Sequence, residues 1–330
     1  MSYKFSDLSV SAIDLYEEFL NYLATNNKLK IKRVPLLGRT KLAKKIREKN
    51  ISKERFAEFL SYFEQVLRYN FRGDLLHNFE DNIEDLEIDS TCFQLGDFLK
   101  KVNKYDGLYD IKKNKMYINI KDKSEINCIY HELFHLATTN RMITSHLQTG
   151  FRVIRNGRSI GLGLNEGYTD LMAYRYFGHV GYVPGYPVLY RYAAALEQIV
   201  GKERMEPYYL SSNPQALVNQ LSRYDSTDNI IMFLQLLDGV VDLKEEVPVE
   251  GNRMNSITSI LLKWYVRKAI MDGENIYDPN VRSRILNYAW QLPSKIILNN
   301  GRVLNININA LLDNVVNEIM QSPGYNNRPF

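Results

Sequence analysis

The feature that constrains this chain most is the segment 127–138, which reads NCIYHELFHLAT. It places His131, Glu132 and His135 in an apolar run whose composition favours a helix. Residues four apart lie on the same face of an α-helix, so both imidazole rings can reach one metal ion. Glu132 directly follows the first histidine, where its carboxylate can hold a water molecule beside that ion. The segment therefore predicts a helix that supplies two nitrogen ligands and one acidic group.

A second segment supplies a third ligand. Residues 163–177 read GLNEGYTDLMAYRYF, and their apolar positions at spacings of three and four predict another helix. Glu166 lies in its first turn, and Asp170 follows four residues later on the same side. Two histidines and a carboxylate with an open fourth position are typical of catalytic zinc, which lowers the pKa of bound water to about 7. Asp170 can then accept the second ring N–H of a histidine ligand and so fix the orientation of that ring.

The motif H-E-L-F-H followed by N-E-G-Y-T-D resembles the gluzincin metallopeptidases, whose thermolysin-like members carry H-E-x-x-H and then N-E-x-x-x-D. The resemblance implies that His131, His135 and Glu166 bind one zinc ion. It further implies that Glu132 is the general base and that Asp170 supports a histidine ligand. These assignments agree with the roles that the helical spacings predict independently.

The resemblance covers residues 108–177, roughly a fifth of the chain, and breaks down at the group that stabilises the transition state. Thermolysin-like enzymes use a histidine well after the third ligand for this purpose, whereas no histidine follows His179 here. The gap between His135 and Glu166 is also longer than in that family. The candidates for the stabilising donor are Tyr186, Tyr190, His179 and Arg223.

Other histidines compete with Glu166 for the third ligand position. His146, eleven residues after His135, and His179 are the natural rivals. A third histidine in the metzincin pattern would fall at position 141, which is Arg141, and this disfavours that branch. His77 is expected to be a structural histidine, at the surface or in the core.

Composition and patterning indicate a mainly helical α+β protein. A hydrophobic content of 45% and a charged content of 24% in 330 residues are typical of globular chains. We expect an N-terminal helical region over 1–105, a zincin-like metal-binding core over 106–185 and a C-terminal helical lobe over 186–330. The core should carry a small β-sheet before the H-E-x-x-H helix.

Two hairpins are predicted around the metal-binding helix. Residues 107–120 contain two short strands, and the alternation over 116–120 makes that stretch the candidate for an edge strand that pairs with an extended substrate. The dipeptide Asn156-Gly157 between two β-compatible runs predicts a second hairpin. That hairpin is either a flap over the substrate or a plain connector.

Helical periodicity dominates the two ends of the chain. Toward the N-terminus helices are expected over 7–27, 39–49, 93–103 and from residue 55 onward, with an acidic loop over 70–90. In the C-terminal lobe they are expected at 188–200, 203–210, 214–223, 228–242, 254–272, 279–291 and 308–321.

Charge and hydropathy bear on partners and location. The net charge of +4 is small, and the basic run at 28–33 is balanced by the acidic run at 80–89, so no nucleic-acid partner is predicted. No apolar stretch approaches the roughly 18 residues that span a bilayer, so no membrane partner is predicted either. The first twenty residues contain acids and lack a continuous apolar core, unlike a secretory signal. We expect a cytoplasmic protein, or alternatively one exported by a non-classical route.

These observations predict a zinc metallopeptidase that binds one Zn²⁺ and a peptide or protein substrate, with Glu132 activating the attacking water. Two alternatives remain open. One is a zinc hydrolase of a non-peptide amide, with the same ligands. The other is a pseudoenzyme that binds a partner protein and keeps a structural zinc, although a closed structural site has no need of a carboxylate such as Glu132.

Overall fold

The computed structural model describes residues 54–89, 107–118, 125–141, 147–155, 158–241, 247–297 and 301–321. This part of the chain is mainly helical with small β-sheets, which confirms the predicted α+β class. It forms two compact units. One is built from the residues up to Thr149 together with Met172–Gly185, and the other from Gly150–Leu171 together with the residues from Tyr186 onward. The predicted division into three regions stays a prediction.

Among the residues before Gly150 that the structure describes, the first unit contains three helices and five short strands. The helices are α1 (Glu54–Asn70), α2 (His77–Glu84) and α3 (Glu125–Thr138), and a 3₁₀ turn over Gly73–Leu75 precedes α2. The strands are β1 (Glu87–Asp89), β2 (Gly107–Asp110), β3 (Lys115–Ile118), β4 (Thr139–Asn140) and β5 (Leu147–Thr149).

A three-stranded sheet precedes α3. The sequence predicts a small sheet and two of its strands here, and β1 is an addition. Strand β3 lies in the centre, parallel to β1 and antiparallel to β2, which forms one edge. The turn between β2 and β3 is held by Asp110, whose carboxylate accepts the backbone N–H groups of Lys112 and Lys113. It closes at Asn114, whose positive φ of 50° suits an asparagine.

An aromatic cluster forms the core of this unit. Phe177 is fully buried, stacked on Tyr130 of α3 with ring centroids 3.9 Å apart and on Phe63 of α1 at 5.6 Å. Phe134 of α3 meets Phe63 edge to face at 4.9 Å. Offset and edge-to-face pairs of this kind stabilise a fold beyond the burial of their area. The cluster fixes the rotation of α3 about its axis, because Tyr130 and Phe134 occupy one of its faces.

Side chains bond the carbonyls at and near the C-terminal end of α3, where the last four carbonyls have no partners within the helix. The Thr139 hydroxyl donates to one of these, the carbonyl of His135, at 2.7 Å. The buried amide of Asn82 donates to the carbonyls of Leu136 and Thr139, at 2.8 and 2.6 Å. The Thr138 hydroxyl donates to the carbonyl of Phe134 at 2.9 Å. The Asn114 amide donates in turn to the carbonyl of Asn82, which ties the β2–β3 turn to the same network.

The second unit is a helical assembly with two hairpins. Its strands are β6 (Arg152–Arg155), β7 (Arg158–Ile160), β8 (Lys295–Ile297) and β9 (Val303–Asn305), paired β6 with β7 and β8 with β9. Its helices after residue 186 are α5 (Pro187–Val200), α6 (Lys202–Leu210), α7 (Pro214–Leu221), α8 (Thr227–Asp238), α9 (Val247–Met271), α10 (Pro279–Gln291) and α11 (Ile308–Gln321). Helix α9 contacts α5, α8, α10 and α11, and its buried Trp264 meets Phe233 of α8 with ring centroids 4.9 Å apart.

Helix α4 (Leu162–Phe177) carries the second metal-binding motif and is buried at every position from Gly163 to Ala173. Its glycines permit this burial. A Cβ at Gly163 would lie 2.1 Å from the carbonyl oxygen of Leu237, and one at Gly167 would lie 2.4 Å from that of Leu189. Only a residue without a side chain allows backbones to approach so closely.

Most sequence-based elements are confirmed, and the exceptions are informative. The stretch 70–90, expected as a loop, contains helix α2 and strand β1, so that prediction is wrong. The β8–β9 hairpin is an addition, although Asn300-Gly301 carries the same turn signal as Asn156-Gly157. The helices expected at 7–27, 39–49 and 93–103 lie outside the described residues. Among the helices that the structure describes, none combines the length and apolar character needed to span a lipid bilayer.

The aromatic cluster predicts a large stability effect at Phe177. Replacing Phe177 by Ala removes a fully buried ring and its stacking contacts with Phe63 and Tyr130. We expect the free energy of unfolding to fall by about 3–5 kcal/mol. Urea denaturation followed by circular dichroism measures this change. Tyr174→Ala, at a ring 48% exposed on the same helix, is the control and should cost less than about 1 kcal/mol. Equal losses in the two variants would contradict this account of the core.

Candidate metal centre

Helix α3 presents the H-E-x-x-H motif from a buried position. His131 and His135 are only 8% and 7% exposed, and their Nε2 atoms are 2.9 Å apart. The one-turn spacing brings the rings to the same face, with centroids 4.6 Å apart. A hydrogen bond between two imidazole nitrogens requires one of them to carry a proton. At this separation the two Nε2 atoms lie close enough to reach one metal ion, as the sequence predicts.

Glu166 of α4 completes a group of three. One ligand atom from each of His131, His135 and Glu166 lies within 4.8 Å of the others, and Glu166 is 9% exposed. Among the described residues this is the group of histidine, cysteine and acidic side chains that could hold a metal ion. This group agrees with the sequence-based choice of Glu166, rather than His146 or His179, as the third ligand. His146 lies outside the described residues.

The donor set fits a divalent metal ion such as zinc. Zinc bonds of about 2.0–2.1 Å in a tetrahedral site separate two nitrogen ligands by about 3.3 Å. The 2.9 Å between the Nε2 atoms is shorter by a few tenths of an ångström, so a small change of rotamer accommodates the ion. A carboxylate with little exposure next to two imidazoles is stabilised by a cation, which offsets the loss of its hydration.

Tyr182 supports the first histidine, a role that the sequence analysis missed. Its hydroxyl lies 3.3 Å from Nδ1 of His131, on the side of the ring opposite the converging Nε2 atom. The ring is 2% exposed. A partner at this nitrogen fixes both the tautomer and the orientation of a histidine ligand. The chain has 23 tyrosines, and nothing in the Gly- and Pro-rich stretch around Tyr182 distinguishes it by sequence.

Asp170 is fully buried one turn after Glu166. Its Oδ2 atom accepts the backbone N–H of Tyr186 at 2.6 Å, which fixes the carboxylate at the start of α5. The predicted contact between Asp170 and a histidine ligand stays a prediction. Asn165, which precedes Glu166 in the motif, is also buried and accepts the backbone N–H of Phe151 at 3.1 Å.

Glu132 is partly exposed and held from one side. Its Oε2 atom accepts the backbone N–H of Tyr109 in strand β2 at 2.7 Å. Within the part of the chain that the structure describes, the other oxygen of this carboxylate has no hydrogen-bond partner. Tyr109 is itself anchored, because its hydroxyl donates to the side chain of Asn114 at 2.7 Å. The backbone N–H of Tyr109 thus orients the carboxylate of Glu132.

The strand next to the metal-binding helix is β2, and this corrects the sequence-based candidate. The sequence predicts that the stretch 116–120 is an edge strand of the sheet. Its described part belongs instead to β3, which is paired on both sides. Strand β2 forms the edge of this sheet and contacts α3. Sequence alternation identifies strands but not their order in a sheet, which depends on pairing with β1, about 30 residues away.

The four candidates for a transition-state donor lie in different surroundings. The Nε2 atom of His179 hydrogen-bonds the hydroxyl of Tyr62 at 3.0 Å, and burial lowers the pKa of His179 to about 4. His179 is thus neutral at pH 7. Arg223 is exposed and lines a cavity of about 470 Å³ together with Arg204 and Lys268.

Tyr186 and Tyr190 lie at the start of α5 and are partly exposed. Tyr186 is the residue before the helix, and its backbone N–H is the group that Asp170 accepts. Its carbonyl accepts the N–H of Tyr190 in the first turn at 2.8 Å. The role of each of these four residues as a transition-state donor stays a prediction.

Comparison of the chain with known protein families, with curated proteins and with solved structures found no match.

The burial of His179 predicts a pH dependence of stability. The unfolded chain binds a proton near pH 6.5, whereas the folded chain does so near pH 4, so the unfolded state holds more protons between these values. The stability that neutral His179 contributes is therefore lost as the pH falls through this window, by about 3 kcal/mol in total.

Urea denaturation of the wild type and of His179→Gln, compared between pH 4 and 7, isolates this contribution, because the other histidines are common to both proteins. The pH slope should be shallower in the variant. Parallel pH profiles for the two proteins would show that His179 does not titrate with a lowered pKa.

Proposed function

We propose that this protein is a zinc-dependent peptidase. The observation that supports the proposal most is the grouping of His131, His135 and Glu166, whose ligand atoms lie within 4.8 Å of one another. A further carboxylate, that of Glu132 next to His131 on α3, is not part of this group. Three protein ligands leave one position for water or substrate, as in catalytic zinc sites, whereas closed structural sites use four. This is the arrangement that the resemblance to gluzincin metallopeptidases implies.

In this proposal the two Nε2 atoms and the Glu166 carboxylate hold the ion, and the Tyr182 hydroxyl keeps the His131 ring in place. Zinc, when bound, supplies a Lewis acid that polarises a carbonyl group and lowers the pKa of a water molecule. The site residues supply the remaining elements: low exposure, fixed ring orientation and a base.

Glu132 is the base. Its unpartnered oxygen takes a proton from the attacking water while the other oxygen remains bonded to the N–H of Tyr109. The water oxygen forms a bond to the carbonyl carbon of the substrate. The carbon–nitrogen bond then breaks, and the proton moves from Glu132 to the leaving nitrogen. The backbone hydrogen bond holds the carboxylate in one orientation through both proton transfers.

Strand β2 is the element that favours a peptide over other amides. An edge strand offers backbone donors and acceptors to an extended chain, and a substrate that adds to it is aligned by main-chain hydrogen bonds. Tyr109 lies on this strand and contacts Glu132 directly, so a peptide paired along β2 would pass beside the base. A small non-peptide amide would gain nothing from this edge.

Metal binding is the first test. We expect the purified protein to bind one equivalent of zinc, and His131→Ala, His135→Ala or Glu166→Ala to lower the affinity more than about 100-fold, because even the loss of an outer-shell partner costs 10- to 100-fold. Competition with a chromophoric chelator measures the affinity. His77→Ala removes an exposed histidine that bonds the carbonyl of Asp74 and should bind zinc normally. Zinc binding by all three ligand variants would reject the site.

Catalysis is the second test. Glu132→Gln keeps the shape of the side chain and its bond to Tyr109 but removes the base, so we expect full zinc content and a loss in kcat of about 10²- to 10⁴-fold. Cleavage of an unbiased peptide library, read by mass spectrometry, is the measurement. Glu84→Gln, at an exposed acid of α2, is the matched control. Cleavage at the wild-type rate by Glu132→Gln would refute the base, and no cleavage by zinc-loaded wild type would refute the peptidase.

A further inference from the structure

Arg152 of strand β6 is a second residue that the sequence analysis did not single out. It is half-buried, and the preceding residue, Phe151, is bonded to the first turn of α4. The N–H of Phe151 donates to the Asn165 side chain, next to Glu166 in the chain, at 3.1 Å. The backbone of Gly161 packs against the same strand, since a Cβ there would lie 2.3 Å from the Phe151 carbonyl oxygen and 3.6 Å from Cα of Arg152. The residue before Arg152 is therefore bonded to the residue before Glu166.

The guanidinium group of Arg152 is only partly used. Its Nε atom donates to the hydroxyl of Ser159 at 2.9 Å. Its charge interacts with the carboxylates of Glu166 and Asp238, but neither forms an ion pair with it within 4.0 Å. Among the residues that the structure describes, its two terminal nitrogens have no hydrogen-bond partner, and neither is a sealed buried atom. Each arginine terminal nitrogen offers two donors, in a geometry that matches a carboxylate.

The carboxylate of Asp238 does not pair with the Arg152 guanidinium group, because it is bonded to backbone groups instead. Its two oxygens accept the backbone N–H groups of Gly161 and Gly163 at 3.0 and 2.8 Å, and so satisfy the N-terminal end of α4. Glu166 belongs to the metal-binding group. Burial lowers the pKa of the Arg152 guanidinium and the two carboxylates oppose that shift, and an arginine stays charged in either case. Glu166 raises the pKa of Arg152, so this half-buried cation with unused donors lies within electrostatic reach of the candidate metal-binding group. Such a cation can bind an anion.

We propose that Arg152 binds a carboxylate of the substrate, so that the site favours peptides that present a free carboxylate near the scissile bond. This inference rests on the proposed peptidase function and names its substrate class. The carboxylate is either the C-terminus of the peptide or the side chain of an Asp or Glu residue. A bidentate pair between guanidinium and carboxylate recognises both, because the planar geometry and the charge are the same.

The test compares matched peptides. In the first set, a peptide with a free C-terminal carboxylate is compared with the same peptide ending in an amide. In the second set, all peptides end in an amide, and Glu is compared with Gln at a position near the scissile bond. Equilibrium binding is measured on zinc-loaded Glu132→Gln, which removes turnover, and cleavage is measured on the wild type. We expect a preference of about 10- to 100-fold for one carboxylate peptide over its amide partner, the size of a charged hydrogen-bonded pair. The set that shows the preference identifies the source of the carboxylate.

Variants assign the preference to Arg152. Arg152→Gln should abolish it, and Arg152→Lys should retain part of it, because lysine keeps the charge but not the planar fork. Arg155→Gln, at an exposed arginine of the same strand, is the matched control and should keep the full preference. The preference for acid over amide peptides is measured on proteins that keep Arg152. A folding defect in Arg152→Gln would therefore not affect that measurement.

The outcomes separate the two proposals. Cleavage of acid and amide peptides at equal rates would keep the peptidase and overturn the carboxylate site. Carboxylate-selective binding that Arg152→Gln removes, without cleavage of any peptide by the wild type, would keep the carboxylate site and overturn the peptidase. A preference that persists in Arg152→Gln, or no binding of any peptide, would overturn the assignment of Arg152.

Discussion

The burial of three ligand groups is the constraint on which the rest of the structure depends. Two imidazoles and a carboxylate, each less than a tenth exposed, are brought within 4.8 Å of one another. An ionised group with so little water is costly unless a charge of opposite sign or several donors compensate for its hydration. A bound divalent cation provides this compensation in one step. The network around the group then serves to hold the donors where such a cation needs them.

That network acts mainly through the backbone. The end of helix α3 is satisfied by Asn82 and Thr139, and the start of helix α4 by Asp238. The carboxylate of Glu132 accepts the N–H of Tyr109. Side chains bonded to backbone groups have few alternative arrangements, because the backbone itself is fixed by helix and sheet. Precise placement of reactive groups requires support of this kind, since a small displacement of a positioned group lowers a rate greatly.

Local periodicity is enough to predict the three side chains that could hold a metal ion, but not their surroundings. His131 and His135 follow from the helical repeat alone, and the choice of Glu166 follows from a second helix with a carboxylate in its first turn. The order of the strands, the contact of Tyr182 with His131 and the environment of Arg152 depend on contacts between distant residues. Arg152 illustrates the limit well. Its role depends on how Asp238 is used, and the two residues are far apart in the chain.

Two glycines near Glu166 in the sequence, Gly163 and Gly167, restrict which substitutions helix α4 can accept. With carbonyl oxygens within 2.4 Å of where a side chain would begin, Gly163 and Gly167 leave helix α4 no room for substitution at either position. Sequence change next to the candidate metal-binding group would therefore have to occur on neighbouring surfaces that can vary. The β6–β7 hairpin, with Arg155 and Arg158 exposed, is such a surface. The close packing of the helix thus leaves the hairpin as the place where sequences can drift.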